Sequence, residues 1–202
     1  MARSSSNMDN FVITAASRVT EADLPAAKLI PRFGRLDLAS QLAVLAVESL
    51  GIDFDTLRRD RVAICLVARA GSLATDVNYW SGRDNAGGPS PTLFAYTLPS
   101  SAIGEIAIRH RLTGPNLCWV GGSAGLIEEA VQLIRNGEAE ACLCVEYHII
   151  SPELAAVIQS PAAAWACALF VQRGDSGHPL PGENHRDIES WCDLLSPPKR
   201  AL

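Results

Sequence analysis

The chain has 202 residues, 48 % of them hydrophobic and 19 % charged, with a formal net charge of −5. That length and apolar content suffice for one buried core, and the interspersed acids and bases leave no sustained basic face for a nucleic-acid backbone. No apolar run reaches the length of a membrane span, and the polar opening Met1 to Asn10 leads into no apolar signal core, so a cytoplasmic protein is expected.

In chain order, Phe11 to Ala16 and Val62 to Val67 read as buried strands. Between them Leu38, Leu42, Leu45, Ala46 and Ser49 recur at three- and four-residue spacing, which predicts a helix stopped by Gly51. Ser81 to Ser90 collects Gly, Pro, Asn and Ser and predicts a loop. Pro99, Ser100 and Ser101 then open a helix through Ile103, Ile106 and Ala107, ended by Gly114 and Pro115. Leu117 to Val120 predicts a strand running into Gly121 and Gly122. Ile127, Ala130, Val131 and Ile134 mark the following helix, closed by Asn136 and Gly137. Ala139 to Val145 and Ala162 to Val171 predict two further strands.

This alternation predicts an α/β layered domain with a mostly parallel sheet covered by helices. From Gly174 the composition shifts to Gly, Pro, His and charge. The expected organisation is one unit over 1–172 and a polar tail over 173–202, in which Ile188, Trp191, Leu194 and Leu195 predict a short docking helix.

Cys65, Cys118, Cys142, Cys144, Cys167 and Cys192 lie mostly within apolar runs and are expected to be reduced, buried thiols. Cys142 and Cys144 share a strand face with no second pair to complete a tetrahedral site, so no metal is expected.

The segment Leu117 to Ile134 runs strand, glycine-rich turn, helix, which places side chains of the turn at the positive end of a helix dipole. Gly121-Gly122-Ser123-Ala124-Gly125 matches the nucleophile elbow of serine hydrolases. A hydroxyl needs an adjacent base, and the acid and histidine that follow in the required order are Asp175 with His178 or His185, all in the polar tail. A serine hydrolase or acyltransferase using Ser123 is therefore the alternative reading. Glycines that let strand and helix pack closely explain the same residues.

Four blocks carry a resemblance: Ile103-Gly104-Glu105-Ile106-Ala107-Ile108-Arg109-His110, Leu112-Thr113-Gly114-Pro115-Asn116, Ser123-Ala124-Gly125-Leu126, and Ile134-Arg135-Asn136-Gly137-Glu138-Ala139-Glu140. Together they resemble the first half of a β-ketoacyl synthase of the thiolase-like superfamily. Phe11-Val12-Ile13-Thr14 resembles that family's opening strand, so the likeness runs over 10–172. It implies one pseudo-repeat of the layered thiolase-like fold and no cofactor. Ketosynthases carry a cysteine at this elbow, where the helix dipole and backbone amides favour a thiolate and its acyl thioester. Here the slot falls on Gly122 or on Ser123, depending on which block anchors the comparison, and neither is a thiol. Cys118 is expected in the core. The family's histidine pair comes from its second half, which has no counterpart in these residues, and His110 and His148 read as surface or capping residues.

The resemblance thus implies a catalytically silent subunit, similar to the cysteine-lacking chain length factors of polyketide systems, with Gly122 and Ser123 marking a vestigial slot. It should pair as a heterodimer with a full-length ketosynthase, meeting an acyl carrier protein only indirectly. The missing half would leave apolar surface to be covered by a partner. Interface candidates are Leu117, Cys118, Trp119 and Val120; candidates for lining the partner's acyl tunnel are Phe94, Tyr96 and Leu98. Short proteins of this kind resemble those of aryl polyene synthesis. A free-standing acyl-binding module is a third reading, and homo- versus hetero-oligomer stays open.

Overall fold

Strands that are apolar on both faces need cover on both faces, and two such strands organise this molecule. All seven residues of β2 (Val62–Ala68) are buried, as are nine of the ten in β4 (Ala141–Ile150), His148 alone being half-exposed. The computed structural model describes residues 10–84, 87–180 and 187–195. The remaining strands are β1 (Phe11–Thr20), β3 (Asn116–Val120), β5 (Ala163–Arg173) and β6 (His178–Pro179), and the sheet order is β3-β2-β4-β5-β1-β6.

The helices are α1 (Leu38–Glu48), α2 (Leu73–Ser81), α3 (Pro91–Phe94), α4 (Ser101–His110), α5 (Leu126–Arg135), α6 (Pro152–Ile158) and α7 (Ile188–Leu195). On one face of the sheet, Ile64, Leu66, Leu143, Val145, Tyr147 and Phe170 pack against α1 and α4. α1 starts where the Asp37 carboxylate accepts the Ser40 amide at 2.9 Å. Its small buried residues let the sheet approach closely, and Ser17 donates to the Ala46 carbonyl at 2.6 Å. On the other face, Cys65, Val67, Cys142, Cys144, Cys167 and Leu169 pack against α5 and α7.

The layered α/β arrangement is as the sequence implies, but the sheet is not mostly parallel. β2 runs parallel to β3 and β4, whereas β4–β5, β5–β1 and β1–β6 are antiparallel. The cause lies in the link after β4. α6 has seven residues and buries only Leu154, so it turns the chain at the sheet's end and does not cross a face as a parallel connection must. A bulge at Thr14 interrupts the β1–β5 register between Ile13 and Ala15.

Gly114, within one of the resemblance blocks, has a physical reason to lack a side chain: a Cβ there would collide with the backbone of Val62. The close approach lets the Ile64 amide reach the Pro115 carbonyl at 2.9 Å, which starts the β2–β3 pairing.

The short tail helix docks. Ile188 and Cys192 of α7 are wholly buried and Trp191 nearly so, while Leu194 points outward. The outer surface of α5 is polar, with Glu128, Gln132 and Arg135 exposed. This sheet face is therefore covered by the chain's own helices. Among the described residues no helix is long and apolar enough to cross a membrane. Replacing Trp191 with alanine should remove much of the α7 anchorage and lower stability by about 3–5 kcal/mol, read from urea unfolding.

Candidate functional site

At the C-terminal ends of the parallel strands, β3 passes through Gly121 to Gly125 into α5. Gly121 has φ +123° and Gly125, the N-cap of α5, has φ +90°, both in the region that favours glycine. The turn is tied down by the Gly121 amide on the Ala68 carbonyl at 3.1 Å and the Leu126 amide on the Ser123 carbonyl at 3.1 Å. Glu128 and Glu129 occupy the first turn of α5, complementing its dipole.

The two positions left open as the nucleophile slot face opposite ways. Gly122 is exposed, and a Cβ on it would meet nothing within 4 Å. Ser123 is 5 % exposed and turned inward, beside the carboxylate of Glu146. The outward position of the elbow therefore carries no side chain. Cys118 does not lie in the core, as β3 is the edge strand of the sheet and has a neighbour on one side only.

Behind the elbow is a chain of charges. Glu146 is 0 % exposed and accepts from Arg69 Nε at 2.7 Å; Arg69 Nη2 reaches Glu189 on α7 at 3.2 Å. Arg18 binds the same Glu189 at 2.8 Å and Asp193 at 2.6 Å. Both guanidinium groups flank the Trp165 ring, at 5.3 Å for Arg18 and 5.0 Å for Arg69. Burial raises the pKa of Glu146, and Arg69 and Ser123 pull it back. The Ser123 hydroxyl is near enough to contribute, yet neither Ser123 Oγ nor Glu146 Oε2 completes a hydrogen bond.

The serine-hydrolase alternative needs a base at Ser123 Oγ. Asp175 accepts from Asn10 at 2.8 Å, and His178 pairs with Ile13 in β6. Both follow the end of β5, which pairs with the start of β4, whereas the elbow follows the opposite ends of the strands. Asp175 and His178 thus lie across the sheet from Ser123. His185 lies outside the described residues.

The other histidines differ from expectation. β4 continues to Ile150, so His148 lies within the strand, its ring 5.8 Å from Trp165 and its Nδ1 without a hydrogen bond. His110 ends α4 but stacks on Phe54 at 4.5 Å and is largely buried. Among the described residues no cluster could hold a metal ion. Cys142 and Cys65 sulfurs meet at 3.4 Å, and burial pushes the Cys142 thiol up.

The candidates for a tunnel and an interface gather elsewhere. Phe94 is 60 % and Leu98 63 % exposed, while Tyr96 packs against the core and donates its hydroxyl to Glu105 at 3.0 Å. Burial, and then that contact, push the Tyr96 phenol up to about 12. Leu117 is half-buried; Cys118, Trp119 and Val120 are exposed. Sequence reasoning missed α2, whose Leu73, Val77 and Trp80 form an apolar stripe facing solvent. The Val120 and Pro99 side chains flank Gly71, just before α2, and Val77, Trp80 and Phe94 line one shallow groove. Also missed were Arg69, Glu146, Trp165 and Glu189. The available signal was a lone carboxylate inside an apolar run, between Val145 and Tyr147, which demands a buried cation.

The family model for the N-terminal domain of β-ketoacyl synthases matches residues 24–164. The chain belongs to that family. A comparison with curated proteins yields no match. Among solved structures, the ishigamide ketosynthase/chain length factor aligns with a TM-score of 0.65 at 19 % identity, covering 85 % of this chain and 64 % of that one. The ketosynthase ApeO in complex with its chain length factor ApeC from Xenorhabdus doucetiae gives 0.61 at 20 %, covering 83 % and 80 %. The AntDE:AntF complex, a type II acyl carrier protein with its ketosynthase bound to the hexaketide, gives 0.66 at 16 %, covering 82 % and 62 %. At these identities the likeness is one of fold, and the ketosynthase-like chain spans less than two thirds of the ishigamide and AntDE:AntF chains it matches.

Two outcomes follow from the charges. Arg69→Ala leaves a wholly buried carboxylate without its cation and should cost about 3–5 kcal/mol in urea unfolding, most of it recovered in Arg69→Met/Glu146→Leu. Burial lowers the pKa of His110 and of His148, so the unfolded chain binds their protons more readily. Stability should be complete above about pH 6.5 and fall as the pH drops below it, and His110→Leu/His148→Phe should flatten that limb in pH-dependent unfolding. Glu146, with its raised pKa, acts in the opposite sense, adding stability at acid pH that is lost as the pH rises.

Proposed function

We propose that this chain is a ketosynthase-like subunit with no condensing chemistry of its own, which pairs with a full-length β-ketoacyl synthase, stabilises it and shapes its acyl tunnel. The observation that carries the reading is the side-chain-free outward position at Gly122 next to an exposed, apolar edge strand. Condensation by this fold requires a thiolate at the elbow, and a glycine cannot supply one.

The partner side of the reading rests on surface. β3 presents Cys118, Trp119 and Val120 with no charge or proline to blunt its unpaired backbone, and such an edge in a stable protein is covered. The stripe of Leu73, Val77 and Trp80, with Phe94 and Leu98, extends that surface. Phe94 and Leu98 are free to reach a neighbour, which suits tunnel lining; Tyr96, held by Glu105, positions the segment. Similarity in fold to the ketosynthase and chain length factor complexes supports a type II system, and the ApeO and ApeC pair an aryl polyene-like one. The acyl carrier protein would then dock on the partner.

Co-expression with a candidate ketosynthase tests this. A heterodimer should form in which Cys118 is shielded from maleimide, whereas in the isolated chain Cys118 alone of the six thiols reacts rapidly. The isolated chain should turn over no acyl thioester. Turnover that disappears in Ser123→Ala would overturn the reading, as would a co-expressed monomer with Cys118 fully reactive. Phe94→Ala in the complex should change the product-length distribution; an unchanged distribution removes Phe94 from the tunnel.

A further inference from the structure

A shallow groove of about 480 Å³ lies between α2 and α3, and none of the elbow residues lines it. The Tyr79 and Phe94 rings stand there with centroids 5.5 Å apart and planes tilted by 48°, and Val77 and Trp80 extend the wall. Trp80 is 65 % exposed, so its ring offers surface to an incoming group. The face of an aromatic ring carries negative potential, and three such rings around one groove attract positive charge.

The remaining lining adds to that preference. Asp76 is the only charged group among the described lining residues, and it is half-buried. Ser72 Oγ stands 2.9 Å from Asp76 Oδ2 and 2.7 Å from the Thr97 carbonyl, so its single proton serves one of the two at a time. Among the described residues Asp76 forms no ion pair. The dipole of α2, in whose first turn Asp76 stands, supplies only about half a positive charge. A carboxylate drawn partly out of water beside apolar rings is thus left short of a counter-charge. Of the hydroxyls in the lining, that of Thr97 donates to the Phe94 carbonyl at 2.8 Å, while those of Tyr79 and Ser81 can accept from a further donor.

Among cations, a shallow aromatic groove favours the guanidinium group, which is planar, stacks on ring faces and sheds its water more readily than an ammonium. Trp80 already takes one: Arg83 lies 4.6 Å over its ring, but Arg83 is paired with Asp84 at 3.2 Å and does not line the groove. α2 also borders the β3 edge, because the Val120 and Pro99 side chains flank Gly71 just before it. We infer that this groove takes the guanidinium of an arginine side chain on the partner protein, stacked against the Trp80 ring with its charge on Asp76. This deepens the proposed pairing and rests on it for the identity of the partner, whereas the guanidinium site itself belongs to this chain.

The test on the isolated full chain follows the Trp80 indole N–H by NMR, assigned through Trp80→Phe, with Nα-acetyl-arginine amide as the probe. The probe should shift that signal saturably, and the neutral isostere Nα-acetyl-citrulline amide should bind roughly tenfold more weakly, with Nα-acetyl-lysine amide in between. Asp76→Asn, which keeps an acceptor for Ser72, should bring the arginine probe down to the level of citrulline. Trp80→Ala, followed at the Val77 amide, should weaken it severalfold and covers the case in which Asp76→Asn does not fold. The inference is overturned if the arginine probe leaves the Trp80 signal unmoved, if the citrulline or lysine amide binds as tightly, or if a folded variant binds as the native chain does. In the co-expressed pair, Asp76→Arg should weaken the heterodimer by roughly tenfold or more in sedimentation velocity. Unchanged pairing removes the docking role and leaves the proposed function standing. A native chain that pairs with no ketosynthase sinks the proposed function, while titration of the isolated chain still decides the site.

Discussion

A sheet whose middle strands are apolar on both sides cannot stand with one side in water, and the molecule is arranged around meeting that requirement within a short chain. α1 and α4 cover one face by ordinary packing of Leu42, Val44 and Ile106. The other face is covered by α5 and by α7, a helix of only eight residues. A helix that short is marginal by itself. It is held by burying Ile188, Trp191 and Cys192 and by the ion pairs that Glu189 and Asp193 make with Arg18 and Arg69. Because Arg69 also neutralises Glu146, docking of the helix and the electrostatics of the elbow are one arrangement.

That coupling bears on the chemistry available at the turn. The N-terminus of α5 offers free amides and a positive dipole end, which in a ketosynthase favour a thiolate. Here a carboxylate stands close behind, near enough to Ser123 for the hydroxyl to affect its proton affinity. The ion pair with Arg69 offsets the charge of that carboxylate, while burial raises its proton affinity. Ser123 turned inward next to Glu146 fits a structural role for the hydroxyl, and the glycine outside it leaves the turn smooth.

Much of the fold was legible because the core helices and strands carry their periods plainly. Leu38 to Ser49 reads as a helix face, and Val62 to Val67 as a doubly buried strand. The resemblance blocks became intelligible once Gly114 was found against the backbone of Val62. Strand direction was not legible, because it depends on whether α6 crosses the sheet, and its short apolar stretch does not reveal that. α2 was passed over for a related reason: Leu73, Val77 and Trp80 have helical spacing, but their face turns outward and adds nothing to the core that periodicity normally reports. Cys118 was misplaced because an edge strand and a central strand have the same local composition. The site's charges were illegible as a group, since Arg18, Arg69, Glu146 and Glu189 are scattered over the length of the chain and only the sheet brings them together.

Exposed apolar surface is spread unevenly over the described residues. The side of α5 away from the sheet presents no large apolar side chain to solvent. That side carries Glu128, Gln132 and Arg135 and is finished as solvent-facing surface. The exposed Trp80, Phe94, Leu98 and Val120 lie around α2, α3 and the edge strand, while Ile108 on α4 and Val157 on α6 are exposed elsewhere. Water is an unfavourable neighbour for so many large side chains beside an unpaired strand edge, and none of the described residues covers them. Among the described residues the sheet is thus covered on both faces, while apolar surface stays open along its β3 edge.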